Sequence, residues 1–432
     1  MGVNLRDDIF IIRVEKDRNI IYAPLRGVAF YANDKAADIC KLYIPTGRVI
    51  DGSEAPSLRE HIKELERIQP MIPFKSTIRA ASNLVVILSQ MCNLGCSYCY
   101  AQDSRSKDVL SKEQLKVAID YIFSQKSERK HFSFIGGGEP TLTWELLSWS
   151  ISYIRASTYD QNKVGIGITT NGTLLDDKKI NFFQTNKVDI NLSFEILPDV
   201  QDSQRCFAKS SQSTFKIVDE AIRKLLKNGV HVGVRSTITK LNVRRMHEMV
   251  LFAINNYPHL KKIHFEHVTS IYNDKAYYDE FVKYFMEART IGRTEGLDVY
   301  CSVSRGLEKL KSCFCRGEFC LTPTGDFVAC HRISSKEDAA FEQFKFAEIN
   351  CRVVSISKDR KERIEDFYNS KRQECNDCFA KWHCAGSCPM EKTIYTEKMR
   401  DLRCYFTKEL TKALLDERLS NSAVDKRSGV KQ

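Results

Sequence analysis

The 432-residue sequence predicts an α/β protein whose centre is a partial TIM-like (β/α)6 barrel. Three observations support this fold class. Apolar, β-rich runs alternate with helical patterns between residues 82 and 267, as expected of parallel β/α units. The first 80 residues contain short β-rich runs and two helical patterns, which predict a small α+β module. Eleven of the sixteen cysteines form two patterned groups, at 92–99 and 315–404, and the second group predicts a separate C-terminal domain.

The composition and net charge of the sequence restrict where the protein can act and which partners it can have. The hydrophobic content of 43% and charged content of 28% are those of a globular protein. No apolar run reaches the ~18–20 residues of a membrane span, and residues 1–18 lack a signal-peptide core, so we expect a cytoplasmic protein without a membrane partner. The net charge of +11 is scattered, without a basic block or interleaved aromatics, which argues against nucleic acid as a partner.

The N-terminal module is assigned to residues 1–80. Strands are predicted at 9–14, 20–24 and 28–31, and helices at 34–42 and 57–68. Pro70 and Pro73 then break the helical pattern and predict a linker. The module loosely resembles the winged-helix-like leader-peptide recognition element of peptide-modifying enzymes. A simple cap on the next domain is the alternative.

The barrel is assigned to residues 81–270. Its six strands are predicted at 84–88, 131–135, 164–169, 189–194, 231–238 and 262–267. Helices are predicted after the N-cap Ser111 and at 144–156, 176–184, 214–227 and 243–255. Six units are too few for a closed eight-unit barrel, so we expect an open one. Ligands of such folds bind at the carboxyl ends of the strands.

Three cysteines follow the first strand directly. Cys92, Cys96 and Cys99 have the spacing C-x3-C-x2-C. Three thiolates this close can hold three irons of a 4Fe–4S cube and leave the fourth iron free for a small molecule. A structural zinc loop is the alternative, although structural zinc normally takes four protein ligands.

Other unusual segments end the next three strands. Residues 136–140 (Gly-Gly-Gly-Glu-Pro), 169–172 (Thr-Thr-Asn-Gly) and 193–195 (Ser-Phe-Glu) should therefore share one rim with the cysteines. Glycines allow a ligand to approach the backbone closely, and the carboxylate of Glu139 can receive an ammonium group. Arg235 and Glu266, on the fifth and sixth strands, point to the same rim as ligand contacts or as members of structural ion pairs.

These motifs together resemble those of the radical S-adenosylmethionine (SAM) enzymes. The resemblance implies that the amino and carboxylate groups of SAM chelate the free iron. It also implies that Gly137, Gly138 and Glu139 bind the SAM ammonium group, that Tyr98 lies near the adenine, and that Ser193 contacts the ribose or carboxylate. The set of candidate SAM-binding residues is completed by Asn171, Glu195 and Arg235, which are expected at the same rim. Ser193 matches the serine of the family's S-x-D-G segment, whereas Glu195 stands where Asp is usual and Ile196 where Gly is usual.

The second cysteine group resembles the SPASM domain of radical SAM enzymes that act on peptides and proteins. That resemblance implies two further 4Fe–4S clusters, three in all. The implied ligands of the first are Cys315, Cys320, Cys330 and Cys388, and those of the second are Cys375, Cys378, Cys384 and Cys404. Cys313 is an alternative to Cys315, and a pair of zinc ribbons is the alternative to the whole arrangement. The domain is assigned to 311–415, after a connector at 271–310 and before a flexible tail at 416–432.

The resemblance implies reductive cleavage of SAM to a 5′-deoxyadenosyl radical that takes hydrogen from a precursor peptide. An oxidative thioether or carbon–carbon crosslink is the expected product, with flavodoxin or ferredoxin as electron donor. His331, which follows Cys330, is a candidate base or a packing histidine; sulfatase-maturing enzymes have Asp there. A peptide epimerase, a sulfatase-maturase-like side-chain oxidase and a non-catalytic metal-binding protein are the alternatives.

Overall fold

A computed structural model describes residues 2–6, 8–46, 56–71, 73, 82–102, 105–158, 160–269, 274–315 and 317–428. It confirms the α/β class and the open parallel sheet of a partial barrel. The predicted boundary between residues 80 and 81 lies outside the described residues.

The strands and helices follow in chain order. The strands are β1 (Gly2–Arg6), β2 (Ile9–Glu15), β3 (Arg18–Ala23), β4 (Val28–Ala32), β5 (Asn83–Val86), β6 (Lys130–Phe134), β7 (Val164–Thr170), β8 (Val188–Ser193), β9 (Val232–Ile238), β10 (Lys262–His267), β11 (Asp298–Tyr300), β12 (Cys320–Leu321), β13 (Asp326–Val328), β14 (Lys345–Asn350) and β15 (Val353–Ile356). The helices are α1 (Asp34–Thr46), α2 (Pro56–Arg67), α3 (Lys112–Ser124), α4 (Trp144–Ala156), α5 (Asp177–Thr185), α6 (Pro198–Gln204), α7 (Thr214–Lys227), α8 (Met246–Asn256), α9 (Lys275–Thr294), α10 (Ser302–Leu307), α11 (Phe341–Phe344), α12 (Lys358–Asn369), α13 (Lys381–Cys384), α14 (Pro389–Ile394) and α15 (Glu397–Ser428).

The N-terminal module is an antiparallel sheet in the order β1-β2-β3-β4. Ile9, Ile11 and Ile21 face one side, in a core that includes residues of α1 and α2. The alternate residues of the same strands pack on the C-terminal domain, in a core with these members: Phe10, Ile12, Ile20, Tyr22, Phe379, Ala380 and Leu415. The period of two along the strands thus gives each face of the sheet its own core.

The barrel sheet runs in sequence order from β5 to β11, and every neighbouring pair is parallel. Its helices are buried on one face, as in α3, where Leu115, Ala118 and Ile119 fall at helical spacing after the Ser111 capping box. The connector expected at 271–310 differs in one respect. Its strand β11 pairs with β10 and extends the barrel to seven strands. A strand of three residues is too short for an alternation of apolar and polar residues to show.

The C-terminal domain continues the same sheet. Strand β12 pairs in parallel with β5, and the hairpins β13 to β15 extend the sheet in antiparallel fashion. Helix α15 runs from Glu397 to Ser428 and so passes through residue 416, from which a flexible tail is expected. Asp416 accepts hydrogen bonds from Arg18 (2.6 Å) and Tyr31 (2.8 Å), so this turn of α15 is held against the N-terminal sheet. Within the described residues, no helix combines the length and apolar character that crossing a membrane requires.

Candidate active site at the rim of the barrel

The cysteine loop lies directly after β5 and is held by backbone hydrogen bonds. The N–H of Gly95 donates to the carbonyl of Cys206 (2.9 Å), and the N–H of Ser97 donates to that of Gln204 (3.0 Å). Burial raises the pKa of the Cys96 thiol, and the neighbouring Cys92 and Cys99 raise it further. The Cys96 thiol therefore lies close enough to the thiols of Cys92 and Cys99 to interact with them.

The glycine-rich loop after β6 packs on the start of the cysteine loop. A side-chain carbon at residue 138 would lie 2.0 Å from the carbonyl oxygen of Met91, so only glycine fits there. Gly137 has φ +63, a left-handed conformation that also favours glycine. The N–H of Glu139 donates to the Met91 carbonyl at 2.8 Å. These glycines thus hold the two loops together.

The Glu139 side chain is buried and hydrogen-bonded. Its Oε1 accepts from the Thr141 N–H (3.0 Å), the Thr141 hydroxyl (2.6 Å) and the Thr170 hydroxyl (2.7 Å). Its Oε2 accepts from the Asn171 N–H (2.7 Å). The carboxylate therefore ties the end of β6 to the end of β7. Because Oε2 carries one bond where two lone pairs exist, that atom retains room for a further donor.

Asn171 ties the turn after β7 to the cysteine loop. Its Nδ2 donates to Oδ1 of Asn93 (2.9 Å), and its Oδ1 accepts from the hydroxyl of Thr173 (2.7 Å). Asn93 Nδ2 in turn donates to that hydroxyl at 2.8 Å. The side chain of Asn171 is thus occupied within the rim, and its role here is to position the loop.

Tyr98 belongs to a buried polar network. Its hydroxyl donates to Glu195 Oε1 and accepts from Arg205 (2.7 Å). Glu195 is 0% exposed and also accepts from the Ser236 hydroxyl and the Thr237 N–H (3.0 Å). Burial raises the pKa of Glu195, although Arg205 and the hydrogen bonds lower it in part. The network fixes the cysteine loop to β8 and β9.

The residue after Glu195 is conformationally unusual. Ile196 is fully buried and has φ +67. A β-branched residue pays a steric cost in this left-handed region, where glycine is preferred. Strain at this position therefore lies next to the predicted cofactor site.

Ser193, the last residue of β8, is the register partner of Arg235, which lies in the middle of β9. The guanidinium of Arg235 is exposed and has no hydrogen bond or ion pair with another described side chain. Glu266 is anchored instead: its Oε2 accepts from the Ser302 N–H (3.0 Å) and contacts His264 Nε2 (3.0 Å). Of the two side chains expected at the rim, Arg235 is available to an anionic ligand and Glu266 is a structural partner.

His331 reaches the rim from the C-terminal domain. Its carbonyl oxygen lies 3.1 Å from the position of a side-chain carbon on Gly136, and Ser334 accepts from Gln90 (2.9 Å). His331 Nδ1 lies 2.9 Å from both carboxylate oxygens of Glu318. Burial raises the pKa of Glu318, but His331 lowers it by more. This pair was not predictable from the sequence, because thirteen positions separate its members.

The first C-terminal cysteine set lies under this segment. Burial raises the pKa of Cys315 to about 12, and Cys388 contributes to the rise. Burial, Glu318 and Cys388 raise the pKa of the Cys330 thiol. Burial, Glu318 and Cys330 raise the pKa of the Cys320 thiol. The four thiols implied by the resemblance therefore come together. Cys313 is buried beside Cys315, and the interaction with Cys388 favours Cys315 as the ligand.

The second set lines a cavity of about 250 Å³ that contains all four implied cysteines: Cys375, Cys378, Cys384 and Cys404. Burial raises the pKa of Cys384 to about 11, with Cys404 and Cys378 adding to the rise. In the described part of the chain, no three Cys, His, Asp or Glu side chains converge as the ligands of a single ion would. Four thiols are the number of protein ligands that a complete 4Fe–4S cluster takes, so the residues of each set are chemically suited to such a cluster.

Comparison with known proteins gives a consistent result. Residues 86–253 match the model of the radical SAM superfamily. A cysteine-type anaerobic sulfatase-maturating enzyme of Clostridium novyi is 22% identical over 333 residues, which cover 69% of this chain and 88% of that protein. The serine-type enzyme of Bacteroides thetaiotaomicron is 30% identical over 172 residues, 37% of this chain and 40% of that protein.

A protein of Methanocaldococcus jannaschii is 27% identical over 172 residues, 40% of this chain, and the chain spans 58% of its length. Among solved structures, native anSMEcpe with bound AdoMet superposes with a TM-score of 0.67 at 19% identity, covering 79% of this chain and 99% of that chain. The overall fold is therefore shared with anSMEcpe. The chain therefore contains, at residues 86–253, a region that matches the radical SAM superfamily.

Proposed function

We propose that this chain is a radical SAM peptide maturase that installs an oxidative thioether or carbon–carbon crosslink in a ribosomally made precursor peptide. The observation that carries the proposal is the joining of three strand-end segments by Glu139 and Asn171 next to a three-cysteine loop. Two four-cysteine sets lie in a domain attached to the same sheet. When bound, SAM and its cluster supply a 5′-deoxyadenosyl radical that abstracts hydrogen.

The residues of the rim have separate tasks. Cys92, Cys96 and Cys99 hold the cluster, and the Gly137–Gly138 backbone with Glu139 binds the ammonium of SAM. Ser193 contacts its ribose or carboxylate, while Tyr98, Asn171 and Glu195 act chiefly by holding the loops in place. His331, oriented through Nδ1 by Glu318, presents Nε2 as the candidate base for the substrate proton.

The cysteine sets support oxidation in particular. A substrate radical that forms a crosslink must lose one more electron, and the two further clusters of the C-terminal domain can accept it. Flavodoxin or ferredoxin would supply the first electron. An epimerase needs a hydrogen donor and no electron acceptor. An epimerase reaction would therefore not explain the eight cysteines of the two C-terminal sets.

The likeness to sulfatase-maturating enzymes supports a second candidate, oxidation of a protein side chain. His331 stands where that resemblance calls for Asp, and it is paired with Glu318. We therefore favour the crosslinking maturase. The N-terminal module packs on the C-terminal domain, which supports a cap as its role more than a free leader-binding element.

Mass spectrometry of a precursor peptide encoded beside this gene, after anaerobic reaction in deuterated water, tests the proposal. Loss of a pair of hydrogen atoms per event, dependent on Cys92, is the expected result. Deuterium uptake without that loss would identify an epimerase instead. Conversion of a sulfatase peptide in preference to the precursor would favour the side-chain oxidase.

A further inference from the structure

The walls of the second cysteine cavity are basic. Six of its lining residues carry cationic side chains: Lys371, Arg372, Lys381, Lys392, Arg400 and Lys408. No Asp or Glu is among the residues that line it. A cavity with four thiols and six cations is built for a strongly anionic occupant, as an iron–sulfur cluster with four thiolate ligands is.

Two of the six cations are already neutralised by carboxylates. Lys381 pairs with Asp8, and Arg372 pairs with Asp401 at 2.8 Å. The other four, Lys371, Lys392, Arg400 and Lys408, form no ion pair with a carboxylate in the ranges that the structure describes. Their positive charge is therefore available to whatever the four cysteines hold.

Two of these four cations, Lys371 and Lys392, are held in place by uncharged groups. The ammonium of Lys371 lies 5.3 Å from the centre of the Trp382 ring, and that of Lys392 donates to the Ser370 carbonyl at 2.5 Å. Aromatic and carbonyl partners orient a cation without cancelling its charge. Positive charge close to the cysteines is thus a fixed property of this cavity.

The first cysteine set has different neighbours. The Glu318 carboxylate acts on Cys315, Cys320 and Cys330, and Glu391 acts on Cys388. Arg332 has the opposite effect to Glu391 on Cys388. Lys392 interacts with thiols of both sets, most strongly with Cys375. Negative and positive groups are therefore mixed at the first set, whereas the second faces an excess of positive charge.

Reduction adds one negative charge to an iron–sulfur cluster, and nearby positive charge stabilises that reduced form. We infer that Lys371, Lys392, Arg400 and Lys408 raise the reduction potential of the cluster held by Cys375, Cys378, Cys384 and Cys404 above that of the cluster at the first set. The inference rests on the proposed function, because it needs both C-terminal clusters. It makes this cavity the electron-accepting end of the domain.

Redox titration of the anaerobically reconstituted full-length protein, followed by electron paramagnetic resonance, tests the inference. The signal that disappears in Cys375→Ala identifies the second cluster, and the signal altered by added SAM identifies the cluster of the barrel. We expect the second cluster to have the higher midpoint potential of the two C-terminal ones. Lys371→Gln and Lys408→Gln should each lower it and leave the SAM-responsive signal unchanged.

Lys227→Gln, an exposed lysine on α7, is the matched control for loss of one charge and should leave all midpoints unchanged. Lys371→Arg keeps the charge and should retain the wild-type midpoint potential. If Lys371→Gln binds less iron, this variant shows whether the lost charge or the altered packing is the cause. A second-cluster midpoint equal to or below the first, or shifts no larger than that of Lys227→Gln, overturns the inference. A wild-type protein that lacks the second cluster also overturns it, and its iron content shows that the proposed pair of clusters has failed.

Discussion

The cysteine loop of the barrel and the cysteine cavity of the C-terminal domain differ in how they bring their thiols together. The loop uses three thiols within eight consecutive residues and is held by backbone bonds and a buried Tyr98–Glu195–Arg205 network. The cavity draws three thiols from residues 375–384 and a fourth, Cys404, from α15, and surrounds them with lysines and arginines. A loop with only three ligands leaves room for an exchangeable cofactor, whereas a cavity with four ligands favours a permanent cluster.

The largest effect is expected at the loop. Cys92→Ala, Cys96→Ala or Cys99→Ala removes one of three ligands, so 5′-deoxyadenosine formation should fall to background in an anaerobic assay with dithionite. Cys206→Ala, at an exposed thiol whose backbone supports the loop, should retain cluster and activity. Persistent 5′-deoxyadenosine in the three loop variants would remove the central assignment.

The cavity should behave differently from the loop. Cys404→Ala should lower the iron content of the reconstituted protein by about four of about twelve irons per chain, the value expected for one cube of three. SAM cleavage should continue, because the barrel cluster is intact, while peptide crosslinking should stop. Cys351→Ala, an exposed cysteine of the same domain, is the matched control. If Cys404→Ala retains the wild-type iron content, Cys404 is not a ligand.

An intermediate effect is expected at Glu139. In Glu139→Gln one carboxylate oxygen becomes an amide NH2, which cannot accept, so at least one buried donor loses its partner at a cost of about 1–3 kcal/mol. We expect a lower urea midpoint and weaker SAM binding by equilibrium dialysis. Glu113→Gln, at an exposed position of α3, provides the comparison and should change neither measurement. Unaltered SAM binding in a destabilised Glu139→Gln protein would make Glu139 purely structural.

The smallest effect is expected at His131, at the opposite end of the barrel from both metal regions. Burial lowers the pKa of His131, and Asp189 raises it in part. A lowered histidine pKa means that its stabilising contribution is complete above the unfolded value of about 6.5 and is lost as the pH falls below it. The imidazole also fills the space that a side chain on Gly165 would need.

In thermal melts at about pH 7.5 and about pH 5.5, His131→Gln should therefore show less acid destabilisation than the wild type. His259→Gln, at an exposed histidine, should keep the wild-type pH dependence. Equal acid destabilisation in the wild type and His131→Gln would show that His131 does not titrate as its burial indicates.

Much of this arrangement follows from sequence, because it depends on period and spacing. The six long barrel strands and the rim segments at their ends were predictable, since alternation places strand ends at one edge. The pairing of the three-residue strand β11 with β10 was not, because so short a run does not indicate its partner strand. The Glu318–His331 pair and the basic walls of the cavity depend on tertiary contacts between distant segments, which a single sequence does not reveal. The hydrogen bond between Arg18 and Asp416 of α15 is a contact of the same kind.

The docking of the N-terminal sheet has a consequence for biosynthesis. Phe10, Ile12 and Ile20 are synthesised long before their partners Phe379, Ala380 and Leu415. Until those partners are made, this apolar face lacks its cover and is exposed to aggregation or chaperone binding. Because Asp8 contacts Trp382 (2.7 Å), between Cys378 and Cys384, docking of the N-terminal sheet also fixes the segment that carries two of the cavity's cysteines.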